Sequence, residues 1–145
     1  MSKTIFLLNG PNLNLLGFRE PEIYGHDTLG DVEARCMAHA ETLGVTLEFR
    51  QSNHEGVLVD WIQEARGKAD AIILNAGAYT HTSIAIHDAL KAYDGYKMEL
   101  HISDPKQREA FRHISYVELA SDGLIAGRGV DGYIMALDAV MEKIA

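Results

Sequence analysis

Only one cysteine, Cys36, occurs in the 145 residues, so no disulfide can close within the chain. A lone thiol suits a reducing compartment, and the protein is read as cytoplasmic. Long apolar runs are missing. Nothing approaches the roughly 18 residues of a membrane-spanning helix. The N-terminal MSKTIFLLNGPN has one lysine and a short apolar run, without the longer apolar stretch and small-residue cleavage site of a signal peptide. Basic residues are outnumbered, 13 against 21 acidic, for a formal charge of −8. That balance disfavours nonspecific nucleic-acid binding and an anionic membrane surface, although a local site can still oppose the net field and take an anion.

Several chemical signatures are absent as well. No CxxC or HExxH spacing occurs, so no metal is expected. GxxxxGK[ST] is missing, and no GxGxxG follows the first predicted strand. No GxSxG elbow occurs, and Cys36 falls on a predicted helix face, where it reads as core rather than nucleophile. Of the lysines, only Lys106 falls near the polar clusters described below, which argues against a Schiff base. His26, His39, His87 and His113 have no evident partners and read as surface residues. No repeat, low-complexity segment or linker interrupts the chain, and 47% hydrophobic residues suffice for one core, so residues 1–145 are taken as a single domain.

What is present is alternation of strand and helix. TIFLLN (4–9) reads as a buried strand. A helix starts at Thr28, with Leu29, Val32, Cys36, Ala40 and Leu43 on one face, a Thr28/Asp31 capping box and Gly44 as terminator. VTLEFRQ (45–51) alternates as a strand. Ser52 and Glu55 stand at capping-box spacing before a stripe of Leu58, Val59, Ile62 and Ala65. DAIILN (70–75) is a continuous apolar strand, and a helix from about Thr82 presents Ile84, Ala85 and Leu90. MELHIS (98–103) reads as a strand, residues 116–126 as a weak edge segment, and a last helix from Asp131 packs Ile134, Leu137, Val140, Met141 and Ile144. This order predicts an α/β fold, a parallel sheet with helices on both faces. Ligands of such folds bind at the carboxyl ends of strands.

Polar residues cluster at those ends. Asn9, Pro11 and Asn12 follow the first strand; Ser52, Asn53, His54 and Glu55 the second; Asn75, Gly77, Tyr79, Thr80 and His81 the third. The fourth carries Glu99 and His101, then Ser103, with Arg108 and Arg112 beyond. Glu99 and His101, two apart on a strand, share a face. A carboxylate there fixes the imidazole tautomer and favours its protonated form, making an acid; a half-exposed strand face explains the pair equally well. The 75–81 turn offers Gly77 for close backbone approach and free helix-start amides for an anion, against an ordinary strand-to-helix turn with a Thr cap. In NLNLLGFREPEIYG (12–25), Tyr24 needs a cation to act as a base, since its pKa is ordinarily about 10. Arg19 supplies one, and Gly17 and Gly25 are candidate hinges for a lid over about 17–27. The plainer alternative is a mobile loop whose Tyr packs on the body.

Five stretches in sequence, NGPNLNLLGFREPEIYG (9–25), QSNHEG (51–56), NAGAYTHTS (75–83), ELHIS (99–103) and FRHISY (111–116), resemble the type II 3-dehydroquinate dehydratases over nearly the whole chain. The resemblance implies a flavodoxin-like fold and a cofactor-free, reversible dehydration of 3-dehydroquinate to 3-dehydroshikimate through an enolate, in aromatic amino acid biosynthesis or quinate breakdown. It implies Tyr24 as base, Arg19 as stabiliser of the phenolate and His101 as acid, oriented by Glu99. Asn12 would help hold a water at the enolate oxygen. Asn75, His81 and Arg112, with the backbone at Ile102 and Ser103, would bind the substrate. Asp88 would reach a neighbouring subunit's site in a dodecamer built from trimers. Three positions depart from the family's usual residues. Ala76 stands for Pro before Gly77, Asp104 for Asn, placing a carboxylate that weakens anion binding or points away, and His87 for a position that is often basic. A flavodoxin-like binding module for small anions is the alternative from another class; the joint presence of Arg19, Tyr24, Glu99 and His101 argues against it.

Overall fold

A computed structural model describes residues 3–145. Five strands, β1 (Thr4–Asn9), β2 (Thr46–Gln51), β3 (Ala71–Asn75), β4 (Tyr96–Leu100) and β5 (Gly123–Ile125), form one sheet in the order β2-β1-β3-β4-β5. Every pairing is parallel. This is the flavodoxin-like order, and its topological switch lies between β1 and β3.

The central strands read as unbroken apolar runs because both of their faces are covered. Along β1, Ile5 and Leu7 join Val32, Cys36, Leu137 and Val140 in one core. Phe6 and Leu8 join Leu58, Ile62, Ile86 and Leu90 in the other. The strand period of two thus splits one hydrophobic run between two cores. The first lies under α2 (Leu29–Leu43) and α5 (Asp131–Ile144), the second under α3 (Glu55–Glu64) and α4 (Ile84–Lys91). Each fully buried Leu or Ile contributes roughly 1.5–3 kcal/mol, so the layers need no covalent staple. Burial pushes the Cys36 thiol up to about 12, so it stays protonated as a core side chain.

α2 begins as its sequence predicts. Thr28 Oγ1 accepts from the Asp31 amide at 3.1 Å, and Asp31 Oδ2 accepts from the Thr28 amide at 3.0 Å. Gly44 closes it at φ 70°. Other expectations hold only in part. Ser52 and Glu55 make no capping box: the residue preceding α3 is His54, and Ser52 Oγ accepts from the His54 amide instead. α4 starts at Ile84 behind a Ser83 cap, and it buries Ile86, Ala89 and Leu90 while Ile84 stays exposed. β4 ends at Leu100, so His101 to Ser103 lie beyond the strand. The weak edge segment expected over 116–126 contains the edge strand β5, preceded by a 3-10 turn, Glu118–Ala120. α5 starts at Asp131 and packs Ile134, Leu137, Val140, Met141 and Ile144 as its sequence predicts, and it also buries Tyr133 and Ala136. Among the described residues, no helix is long and apolar enough to cross a membrane.

Candidate active site

The ends of β1 and β3 are in register, Asn9 opposite Asn75. Between them stands the fully buried Tyr133 hydroxyl, which donates to Asn9 Oδ1 at 2.7 Å and accepts from Asn75 Nδ2 at 3.1 Å. Burial pushes its pKa up, so the hydroxyl stays neutral and serves both amides. Asn75 Oδ1 accepts from the Gly77 amide at 3.3 Å. Gly77 takes φ +58°, and a Cβ there would lie 3.0 Å from the Pro11 carbonyl oxygen. The β1 and β3 loops therefore meet where only glycine fits both the torsion and the space.

Over this switch point opens a cleft of roughly 660 Å³, counted to its open mouth. Its walls include Asn12, Arg19 and Tyr24 from the first loop, Asn75 and His81 from the third, and His101, Ile102, Ser103, Arg108 and Arg112 from the fourth. Nine of the eleven sequence-predicted site residues thus line one cleft. Glu99 sits behind His101. Asp88 is on the exposed side of α4 and does not line the cleft.

Glu99 and His101 are almost completely buried, at 1% and 7% exposure, so they are not a half-exposed strand face. Glu99 Oε2 lies 2.6 Å from His101 Nε2. Burial alone would push the Glu99 carboxyl up. The hydrogen bond and charge of His101, with the Ser115 and Thr80 hydroxyls, outweigh it and hold the group below its ordinary value. Glu99 is therefore an ionised acceptor and His101 Nε2 carries a proton, leaving Nδ1 for a ligand.

His81 differs in kind. Its Nδ1 donates to the Ile114 carbonyl at 2.8 Å. Burial first, then the nearby His101 and Arg112, lower its pKa against the pull of that carbonyl. A neutral His81 leaves Nε2 as an acceptor for a hydroxyl.

Tyr24 lies on a single helical turn, α1 (Pro21–Tyr24), entered through Glu20 at φ 45°, a left-handed torsion that costs a non-glycine residue about 1–2 kcal/mol. Gly17 and Gly25, on either side, also have positive φ. The Arg19 guanidinium stands over the Tyr24 ring, 5.5 Å from its centroid, and pairs with Glu20 at 3.2 Å. The hydrogen bond to the Tyr24 hydroxyl comes from Arg108, whose guanidinium donates at 2.7 Å and also faces the ring. No role was assigned to Arg108 from sequence; its only signal was its place in the loop after β4. Thr80 and Ser115, both touching Glu99, had only their places in the 75–83 and 111–116 stretches as a signal, and Tyr133 had none.

Three guanidiniums thus face the cleft, and among the described residues no carboxylate lines it. A chain of net charge −8 presents a local cationic site, suited to a small carboxylate. The Ile102 and Ser103 amides donate to no backbone acceptor among the described residues and add two donors there. Asp104 does not spoil this, because Oδ1 accepts from the Lys106 amide at 3.0 Å and caps the turn Pro105–Gln107. His39, His87 and His113 all have partners, contrary to the sequence reading: Asp138, the Tyr116 carbonyl and the Arg108 carbonyl. Among the described residues, no three His, Cys, Asp or Glu side chains group as metal ligands would.

The model of one family, dehydroquinase class II, matches residues 3–141. A 3-dehydroquinate dehydratase of Cereibacter sphaeroides is 58% identical over the whole chain and 99% of its own length. Another, of Streptomyces avermitilis, is 61% identical over 94% of this chain and 86% of its own. The crystal structure of a type II dehydroquinase from Butyrivibrio crossotus superposes with a TM-score of 0.95 at 44% identity, covering 97% of this chain and 98% of that one.

Proposed function

This chain belongs to the class II dehydroquinase family, an enzyme family of hydro-lyases, and on that premise we propose that it converts 3-dehydroquinate to 3-dehydroshikimate by a tyrosine base and a histidine acid. The observation that carries the reading is one cleft holding a tyrosine hydroxyl against two guanidiniums and a histidine backed by a buried carboxylate.

Tyr24, as phenolate, takes the proton beside the ketone, and the C–H electron pair passes into the enolate. Arg108, hydrogen-bonded to the phenol oxygen, and Arg19, over the ring, stabilise the charge the base carries. Asn12 helps hold a water at the enolate oxygen. Collapse of the enolate breaks the C–O bond to the β-hydroxyl, and the proton on His101 Nδ1 goes to the departing oxygen, which leaves as water. Glu99 holds the imidazole in orientation and compensates its charge. Arg112 and the Ile102 and Ser103 amides take the substrate carboxylate, and Asn75, which also holds the turn at Gly77, binds the substrate's hydroxyls with His81 as acceptor. Closure of residues 17–27 over the substrate brings Tyr24 to the reacting carbon and excludes water. The chain acts without a cofactor, in the cytoplasm, in aromatic biosynthesis or quinate breakdown.

The test is growth of conjugated-enone absorbance when folded protein meets 3-dehydroquinate. Turnover that survives borohydride is expected, because no lysine adduct forms. No turnover by folded protein overturns the reading.

A further inference from the structure

Two hydroxyls that no step above uses converge on the acid. Glu99 Oε2 is approached by Ser115 Oγ at 2.5 Å and by Thr80 Oγ1 at 3.0 Å, besides His101 Nε2 at 2.6 Å. The hydroxyls also lie 2.6 Å from each other. Each has one proton, so two protons serve three contacts. The shortest contact to the carboxylate takes the Ser115 proton, and the Thr80 proton is shared between Ser115 and Glu99. Backbone bonds fix both residues: the Tyr116 amide donates to the Thr80 carbonyl at 2.7 Å, and the Glu118 amide donates to Ser115 Oγ at 3.1 Å.

The carboxylate has little else. Glu99 Oε1 is buried and, among the described residues, has no hydrogen-bond partner. The charge of a nearly inaccessible group is therefore compensated at one oxygen, by one imidazole and two hydroxyls. Resting on the function proposed above, we infer that Ser115, backed by Thr80, is a positioning residue that sets the proton affinity of the Glu99–His101 acid.

The sign follows from the charge states. The hydroxyls stabilise the carboxylate in every state where it is ionised, and most when His101 has given up its proton and no longer offsets that charge. Removing them makes the pair bind protons more tightly, so its titration moves to higher pH. The other titratable groups around Glu99 are Arg112, His113, Asp104, Lys106 and Glu118, which line the small cavity behind it, and His81 across the cleft. Replacing Ser115 or Thr80 changes none of their charges. A shift in the titration therefore reports on the hydrogen bonds rather than on a redistributed field.

The experiment follows the His101 ring by NMR in the resting protein, alongside pH profiles of turnover, for Ser115→Ala, Thr80→Val and Thr80→Ser. In Ser115→Ala the His101 titration is expected to move up by about one pH unit, the worth of a hydrogen bond to a charged group. Turnover is expected to fall about tenfold with KM within about twofold, a fraction of what an acid contributes. Thr80→Val should show a smaller shift in the same sense, and Thr80→Ser should restore the original profile. An unmoved His101 titration in folded Ser115→Ala overturns the inference. Should that variant fail to fold, an unmoved titration in Thr80→Val does the same. The ring titration needs no turnover, so it decides this point even if the proposed reaction fails.

Discussion

Glu99 is held ionised inside the fold although it is almost completely buried. Its carboxyl sits below its ordinary value of 4.5 despite burial, because His101, Ser115 and Thr80 stabilise the ion. The fold therefore favours the ionised form. That stabilisation is present in full above the ordinary value and is lost as pH falls through the folded-state value. Unfolding free energy measured against pH should fall less steeply below 4.5 in Glu99→Gln than in the unmodified protein; parallel curves would show that the group is not coupled to folding. Tyr24, Glu99 and His101 were legible in the sequence for a physical reason. Residues 99 and 101 read as one strand face; β4 ends at Leu100, yet His101 Nε2 still meets Glu99 Oε2, and Tyr24 shares a short loop with a cation. Arg108 was not legible. Two arginines lie in the same irregular segment, and which one reaches Tyr24 depends on the successive turns Pro105–Gln107 and Ala110–Arg112. The partners of His87 and His113 are backbone carbonyls, invisible in any side-chain pattern.

At the scale of elements, the site hangs on turns more than on strands. Ala76 precedes Gly77 in the turn that carries Asn75 and His81. Its φ is −75°, within proline's range, and among the described residues its amide donates to no backbone acceptor. Asn75 before it is extended, as a residue preceding proline prefers to be. Ala76→Pro should therefore stabilise the protein by about 0.4–1 kcal/mol through a less flexible unfolded chain. The urea midpoint reads this, and a lowered midpoint would mean the turn cannot take the ring. Helix ends divided the sequence reading in the same way. The Thr28/Asp31 box formed because both side chains reach each other's amides. The equally spaced Ser52 and Glu55 did not, because the chain turns through His54 first. Spacing fixes what is possible at a helix start, and the path of the preceding loop decides whether it forms.

At the scale of the molecule, strand order assembles the site. Placing β1 between β2 and β3 brings loops from distant parts of the sequence to one edge, and alternation along the chain was enough to foresee an α/β sheet of this kind. How copies assemble was outside what one chain's periodicity encodes. With Asp88 on the exposed side of α4, the dodecamer of trimers that the family resemblance implies predicts that sedimentation finds a particle of twelve 16.0 kDa chains, and that Asp88→Ala raises KM while leaving that particle intact. A monomer with full turnover would remove Asp88 from the reaction. The most direct measurement of the account is turnover and substrate binding by Tyr24→Phe. Loss of the single hydroxyl held by Arg108 should abolish enone formation while 3-dehydroquinate still binds; a Tyr24→Phe protein with near-normal turnover would place the base elsewhere.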